Sequence, residues 1–319
     1  MCHSLVGSEM CIRDSNKYGK VAVLMGGHSG EREISLKSGA AILAALKKSY
    51  IDAHPIDVDK DIFAQLSAGQ YDRAFIALHG CGGEDGTMQG ALQTMGIPYT
   101  GSGVMASSIC MNKIITKQLW LAAELNTPDY VTLNEQSYYS QLADKLGPVF
   151  IVKPSQEGSS LGIHKVTNEA EYVSAVAAAR QHRGQLMAEQ WIAGKEYTVT
   201  ILDRQALPVI RLETPNQFYD YEAKYQSNST QYLIPCGLST ELEAQLQARA
   251  IQAFDATGAQ GWGRVDVMMD NNNRSWLLEV NTVPGMTDHS LVPMAAASKG
   301  IDFASLVLKI LDTSFEVKN

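Results

Sequence analysis

The chain has 319 residues, of which 45% are hydrophobic and 19% are charged, and its formal net charge is -8. This length exceeds one ordinary hydrophobic core, so we expect two or three domains, and the composition excludes a disordered chain. Without a run of Lys and Arg the chain is a poor partner for nucleic acid. Its apolar runs also fall short of the roughly 18 residues of a membrane helix.

Residues 1–15, MCHSLVGSEMCIRDS, differ from the rest of the chain. They lack the basic region and apolar core of a signal peptide, and they show neither strand nor helix periodicity. Two interpretations stay open: a non-native leader similar to translated sequencing-linker sequence, or a disordered native tail. In both, we expect a leader of residues 1–16 and a folded protein that begins near Lys17.

The five cysteines predict a cytoplasmic protein. Their number is odd, they are widely spaced, and none forms a C-x-x-C pair. This pattern favours reduced thiols over a disulfide framework.

Short apolar strands alternate with helices in the first third of the folded part. VAVLMGG, from Val21, predicts a strand, and Ser29 is expected to cap the helix that follows. AFIALHG, residues 74–80, predicts a second buried strand before the glycine-rich loop CGGEDGTMQG. Such alternation predicts a parallel sheet with ligands at the carboxyl ends of its strands.

A different pattern follows the helix predicted over residues 111–125. Several β-rich segments come next, and the last two, WGRVDVMMD and SWLLEVN, are joined by the polar turn Asn271-Asn272-Asn273. We expect an α/β N-terminal domain over residues 17–112, a small central lobe over 113–196 and a C-terminal lobe built around antiparallel strands over 197–319.

The last hairpin carries the clearest chemistry. Because side chains alternate along a strand, Arg264 and Asp266 share one face, as do Glu279 and Asn281. If Asp266 pairs with Glu279, all four side chains converge. Two carboxylates and an amide suit Mg²⁺. The alternative, a solvent-facing hairpin, leaves unexplained why charged residues interrupt apolar strands.

Other candidates are ambiguous by themselves. Lys153 precedes the loop PSQEGSSLG, which can wrap phosphates or form a surface turn, and Lys113 can equally be a solvated helix lysine. Glu31 can stabilise a helix start or meet a ligand ammonium. His79 can be a site residue or a hydrogen-bonded core histidine. Residues 218–225, FYDYEAKY, suit a loop that closes over a site, or an exposed linker.

One ordered series of motifs resembles the D-alanine–D-alanine ligases: GGHSGEREIS, ALHGCGGEDGTMQG, PYTGSG, VKPSQEGSSLG, FYDYEAKY, GWGRVDV and LLEVNTVPGMTDHSLVP. The resemblance runs from Lys17 to about Leu311, and its specificity lies in the order and spacing of the motifs. It implies α/β and α+β folding, with a Rossmann-like N-terminal domain followed by a two-lobed ATP-grasp fold.

The resemblance also implies an activity. Two D-alanine molecules would be joined through D-alanyl phosphate, with release of ADP and phosphate, for peptidoglycan precursor synthesis. The alternative is another ATP-grasp ligase, of the D-alanine–D-serine or D-alanine–D-lactate type. Tyr225 favours D-alanine as second substrate, although a pocket rejects one added hydroxyl only weakly. The resemblance further implies a cytoplasmic homodimer without nucleic-acid or membrane partners.

Residue roles follow from the same resemblance. Residues expected to bind ATP are Lys113, Lys153, Glu189, Trp191, Ile192, Glu196 and Lys224. Two Mg²⁺ or Mn²⁺ ions are expected on Asp266, Glu279 and Asn281. Residues expected to bind the amino acids or act on them are Glu31, His79, Ser159, Tyr225, Arg264, Gly285, Ser290 and Leu291.

Within this set, Glu189 would lie at the adenine, and Arg264 and the Gly285 N–H would face the oxyanion. Ser290 would receive the carboxylate of the second D-alanine. Asp288 departs from the family pattern. Its negative charge either weakens the contact of Ser290 with that carboxylate or points to solvent.

Overall fold

The structure is a computed structural model that describes residues 17–158, 162–214 and 230–316, and the strands within these residues form three sheets. The N-terminal sheet is parallel, which confirms the prediction from strand–helix alternation. β1 (Val21–Gly26) lies between β2 (Ala53–Val58) and β3 (Arg73–Ile76). All of β1 is buried, as is typical of a parallel strand with both faces covered. The helices of this region are α1 (Arg32–Lys48), α2 (Ile62–Gly69), α3 (Thr87–Thr94) and α4 (Val104–Met111).

Two details predicted for this sheet are wrong. β3 ends at Ile76 rather than Gly80, and the chain leaves the sheet to turn at Gly80, where φ is +68°. The N-cap of α1 is Glu31 rather than Ser29. The Ser29 hydroxyl accepts from the backbone N–H of Glu31 over 3.2 Å and donates to the carbonyl oxygen of His79 over 2.7 Å. Ser29 therefore connects the loops that follow β1 and β3.

The central lobe is a small antiparallel sheet with its own core. Its strands lie in the order β4, β7, β5, β6, and two helices pack with them. The elements are β4 (Tyr130–Thr132), α6 (Tyr139–Leu146), β5 (Phe150–Pro154), β6 (His164–Val166), α7 (Glu169–Ala179) and β7 (Leu186–Gln190).

The third sheet is antiparallel and has the order β11, β10, β8, β12, β13, with β9 added beside β8. Its strands are β8 (Gly194–Leu202), β9 (Gln205–Ala206), β10 (Ile210–Glu213), β11 (Gln231–Leu233), β12 (Trp262–Asp270) and β13 (Ser275–Asn281). α5 (Lys113–Ala122) and α8 (Thr240–Ala256) pack on it. The indole of Trp120, on α5, donates to the carbonyl oxygen of Ala253 over 2.9 Å.

The last two helices return to the N-terminal sheet. They are α9 (Leu291–Ser298) and α10 (Phe303–Asp312), and α10 packs against α1. Leu306, Val307 and Ile310 belong to the same core as β1. Within the described ranges, no single helix is long and apolar enough to span a membrane, and only α9 taken with α10 and the turn after it passes that test, across a bend of 107°. Residue boundaries between the domains stay a prediction.

Candidate active site

The floor of the site is the last hairpin, and its register meets the condition under which the four polar side chains converge. Asp266 pairs with Glu279, and Arg264 pairs with Asn281. The Arg264 guanidinium donates to both oxygens of Asp266, each over 2.7 Å. Asn281 donates its amide to Asp266 over 3.1 Å. Since Asp266 is only 6% exposed, the alternative of a solvent-facing hairpin is excluded.

A third strand completes this floor, and the sequence analysis missed it. β8 places Thr198 opposite Asp266 and Thr200 opposite Arg264. The Thr198 hydroxyl donates to Asp266 over 2.7 Å. The Thr200 hydroxyl is buried and has no hydrogen-bond partner among the residues that the structure describes. The alternating threonines of EYTVTIL were the available signal for a polar face on this strand.

A first cleft of about 500 Å³ lies between the central sheet and the third sheet. The predicted residues that line it are Lys113, Lys153, Glu189, Trp191, Ile192, Glu196, Asp266 and Glu279. Apolar walls come from Ile151, Leu212 and Met268. A cleft with apolar walls and two lysines can bind a flat ring together with an anionic group.

Each of these lysines has a carboxylate partner. Lys113 lies 2.9 Å from Glu279, and Lys153 lies 2.6 Å from Glu189. A further lysine, Lys117, approaches the other oxygen of Glu189 to 2.7 Å. Burial opposes the charge of Glu189, but the two lysines hold its pKa below the ordinary value. The resemblance places Glu189 at an adenine, whereas both of its oxygens face lysines here.

A second cleft, of about 590 Å³, opens on the other side of Arg264 and Asn281. The predicted residues that line it are Glu31, His79, Arg264, Asn281, Gly285, Ser290 and Leu291. Glu31 reaches this cleft from the start of α1. A Cβ atom added at Gly80 would lie 2.8 Å from the Glu31 carboxylate, and one added at Gly158 would lie 2.9 Å from it. Two glycines therefore leave the space that this side chain needs.

His79 is buried, and its ring nitrogens are both used within the protein. Nδ1 lies 2.8 Å from the carbonyl oxygen of Val283, so it donates, and Nε2 lies 3.1 Å from the Ser38 hydroxyl. Burial lowers the pKa of His79, which keeps the ring neutral. This geometry favours the alternative of a core histidine that joins two loops.

Ser290 lies at the N-terminus of α9, beside Gly285. An added Cβ at Gly285 would lie 2.9 Å from the Ser290 hydroxyl, so a larger residue there would have to displace that hydroxyl. The backbone N–H of Thr287 donates to that hydroxyl over 2.9 Å. The Asp288 side chain is 87% exposed, which resolves the alternatives for this residue in favour of solvent.

Glu84 is a second residue that the sequence analysis missed. Its carboxylate accepts from the backbone N–H groups of Gly80, over 2.7 Å, and Val283, over 3.3 Å. It thereby joins the loop after β3 to the loop after β13. Burial, together with the nearby Glu31 carboxylate, raises the pKa of Glu84 to about 8.

Three predicted residues, Ser159, Lys224 and Tyr225, lie outside the described residues, as does the segment 218–225. Among the residues that are described, no three His, Cys, Asp or Glu side chains gather as a metal centre. The oxygen set on the hairpin instead combines Asp266 and Glu279 with the amide of Asn281, and such hard donors fit Mg²⁺.

Comparison with known proteins gives consistent results. The family model for the D-ala D-ala ligase C-terminus matches residues 119–312. The model for the D-ala D-ala ligase N-terminus matches residues 20–67 and 63–102. The D-alanine–D-alanine ligase of Stutzerimonas stutzeri is 53% identical over 96% of this chain and 98% of its own length. That of Nitrosococcus oceani is 54% identical over 95% of this chain and 96% of its own.

Solved structures are also similar. The D-alanine–D-alanine ligase from Bacillus anthracis, complexed with ATP, has a TM-score of 0.82 at 32% identity and covers 93% of this chain and 97% of its own. The VanG D-Ala:D-Ser ligase from Enterococcus faecalis has a TM-score of 0.80 at 28% identity. The match covers 93% of this chain and 99% of the VanG chain.

We expect Thr198→Val to destabilise the protein, because Asp266 loses a hydrogen bond to a charged acceptor, which costs about 1.5–3 kcal/mol. Thermal unfolding measures the effect. The matched control is Thr200→Val, on the same strand and face, which removes a buried hydroxyl without a described partner and should leave the midpoint unchanged or raise it. Equal midpoints for the two variants would contradict this account of the floor.

Glu84 should make stability depend on pH. Its pKa is about 8 in the folded protein and near 4.5 when unfolded, so the folded state binds the extra proton and stability falls as pH rises between these values. The native chain should therefore lose stability relative to Glu84→Gln as the pH rises from about 5 to about 8, because the amide of the variant does not titrate. Thermal unfolding across that range measures the difference. Glu135→Gln, which makes the same replacement at an exposed position, is the matched control, and a constant difference for Glu84→Gln would refute the assignment.

Proposed function

The chain belongs to the D-alanine–D-alanine ligase family, and we propose that its two clefts bring ATP and two D-alanine molecules to one hairpin. Its activity is the ATP-dependent formation of D-alanyl-D-alanine for peptidoglycan synthesis, with ADP and phosphate as the other products. The observation that carries the proposal is the shared floor: Asp266 and Glu279 line the first cleft, while Arg264 and Asn281 line the second.

ATP occupies the first cleft in this proposal. The apolar walls suit the adenine ring, Trp191 and Ile192 extend them, and Glu196 lines the same cleft, where the ribose hydroxyls would lie. Lys113 and Lys153 supply positive charge for the phosphates. Phosphoryl transfer depends mainly on positioning and charge neutralisation, which these lysines provide. Lys224, which the resemblance places at the γ-phosphate, stays a prediction.

Asp266, Glu279 and Asn281 would hold Mg²⁺ in this arrangement. Their donor set fits, because two carboxylates and an amide lie at neighbouring positions on paired strands. When bound, Mg²⁺ or Mn²⁺ neutralises the charge of the phosphates. In this structure Arg264 and Lys113 neutralise the same carboxylates.

The amino acids occupy the second cleft. Glu31 faces the ammonium group of the first D-alanine, whose carboxylate attacks the γ-phosphate to give D-alanyl phosphate. The carboxylate of the second D-alanine binds at Ser290, where the N-terminus of α9 favours an anion. Its amine attacks the acyl phosphate, and Arg264 and the Gly285 N–H stabilise the oxyanion before phosphate leaves.

Water must be excluded while D-alanyl phosphate exists, since hydrolysis would release it. A loop over residues 218–225, with Tyr225 and Ser159 as partners of Glu31, is the proposed closure. These residues lie outside the described part of the chain, so this step stays a prediction.

D-alanine is the proposed second substrate. The relatives of 53% and 54% identity are D-alanine–D-alanine ligases, whereas the D-Ala:D-Ser ligase is 28% identical. The homodimer stays a prediction of the resemblance. A cytoplasmic location is supported by Cys81, Cys110 and Cys236, which are free thiols.

An assay with Mg-ATP and one amino acid tests the function. The purified chain should release phosphate and form D-alanyl-D-alanine with D-alanine alone. Parallel reactions pair D-alanine with D-serine or with D-lactate, and mass spectrometry identifies each product. A larger kcat/KM for a mixed product than for D-alanyl-D-alanine would overturn the assignment of the second substrate. Absence of phosphate release with D-alanine would overturn the assigned activity.

We expect Glu279→Gln to lose turnover almost completely, because the carboxylate opposite Asp266 is removed from the metal site. Titration with Mg²⁺ or Mn²⁺, followed by phosphate release and by calorimetry of metal binding with ATP present, measures the loss. The control Asp270→Asn changes a carboxylate at the end of β12, away from the metal site, and should retain turnover. Near-native metal dependence of Glu279→Gln would refute the metal assignment.

A further inference from the structure

Lys117 is a buried charge that the reaction described above does not use. It lies on α5, is 0% exposed, and does not line the first cleft. Its ammonium group approaches one oxygen of Glu189 to 2.7 Å, while Lys153 approaches the other to 2.6 Å. One carboxylate therefore lies between two lysines, and only one of them, Lys153, faces the cleft.

The anchoring of Lys117 differs from that of Lys153. The Lys117 ammonium group also donates to the Thr127 hydroxyl and, over 3.3 Å, to the carbonyl oxygen of Pro128. Thr127 in turn donates to the carbonyl oxygen of Leu277 on β13, over 2.8 Å. These bonds attach Lys117 to the segment before β4 and to the third sheet. Lys117 is therefore fixed behind Glu189, whereas Lys153 lies near the end of β5 and lines the cleft.

Charge balance explains why two lysines are needed. A buried carboxylate without a partner is strongly destabilising. If Glu189 had Lys153 as its only cation, any movement of Lys153 toward another anion would leave Glu189 unpaired. With Lys117 in place, Glu189 keeps a cation whichever anion Lys153 contacts.

We propose that Lys117 is a positioning residue that keeps Glu189 neutralised and so releases Lys153 to the phosphates of ATP. The proposal rests on the proposed function, in which Lys153 binds those phosphates. Lys117 does not touch ATP itself. It acts through Glu189, and it makes the exchange of Lys153 between carboxylate and phosphate favourable.

Replacing Lys117 by Met keeps the length of the side chain and removes its charge. We expect Lys117→Met to weaken ATP binding by about ten- to a hundredfold, the range expected for losing one hydrogen bond to a charged group. Calorimetry with Mg-ATP in the absence of D-alanine measures it, and the KM for D-alanine should stay unchanged. Lys117→Arg, which keeps the charge, should retain most of the affinity.

Two measurements separate this role from a purely structural one. Trp120→Phe, one turn along the same helix, removes the bond to Ala253 and should lower the thermal midpoint without changing ATP affinity. In a Glu189→Gln background, Lys117→Met should have little further effect, because the carboxylate that retains Lys153 is gone. Equal losses of ATP affinity in the native and Glu189→Gln backgrounds would overturn the proposal, as would a loss of stability alone.

Lys153→Met tests the role of Lys117 separately from the proposed binding of ATP phosphates by Lys153. If Lys153→Met leaves ATP affinity unchanged, the assignment of Lys153 to the phosphates is wrong, whatever Lys117→Met does. If Lys153→Met loses affinity while Lys117→Met does not, the proposed function survives and the role of Lys117 is refuted.

Discussion

The carboxylate of Asp266 is the point on which the site depends. Arg264, Thr198 and Asn281 donate to it from three neighbouring strands, so it fixes the side-chain order across β8, β12 and β13. Because side chains alternate along a strand, a slip of one residue would turn these groups to the opposite face. The apolar core beneath the sheet makes that slip unfavourable, since it would bury charges and expose residues such as Val265 and Val267.

The first cleft contains its own counter-charges. Lys113 is paired with Glu279, and Lys153 with Glu189, at distances of 2.9 and 2.6 Å. In the proposed function, ATP would enter a site in which the lysines already have partners, and its binding would exchange one set of ion pairs for another. Such an exchange costs less than creating isolated charges in a buried cleft, and it avoids unpaired like charges while the cleft is empty. Affinity then depends on how easily each carboxylate releases its lysine.

The sequence predicted what short-range rules determine. Alternation was enough to place Arg264 with Asp266, and Glu279 with Asn281, on one face of each strand, and strand–helix alternation was enough for the parallel sheet. The pairing of Asp266 with Glu279 stayed a condition, because it depends on an irregularity in the ladder between Asp266 and Val267 that the sequence does not show. The sequence could not supply Glu84 or Lys117, because each becomes part of the site through contacts with residues distant along the chain, and it indicated Thr198 only by the alternation of threonines on its strand. Ser29 was wrongly predicted as the N-cap of α1: its hydroxyl accepts from the nearby Glu31 N–H, but it also donates to the distant His79 carbonyl, a contact that the sequence does not show.

The return of α10 to the N-terminal sheet affects the way in which this protein folds during synthesis. The Tyr18 hydroxyl donates to Asp312, 294 residues further along the chain, and Leu306 and Val307 complete the core around β1. The first sheet to leave the ribosome thus lacks part of its packing until nearly the whole chain has been translated. Domains usually fold in the order in which they emerge. Here the N-terminal core is completed by the last helix, so a nascent chain stalled before α10 would leave the face of α1 that packs on α10 exposed to chaperones.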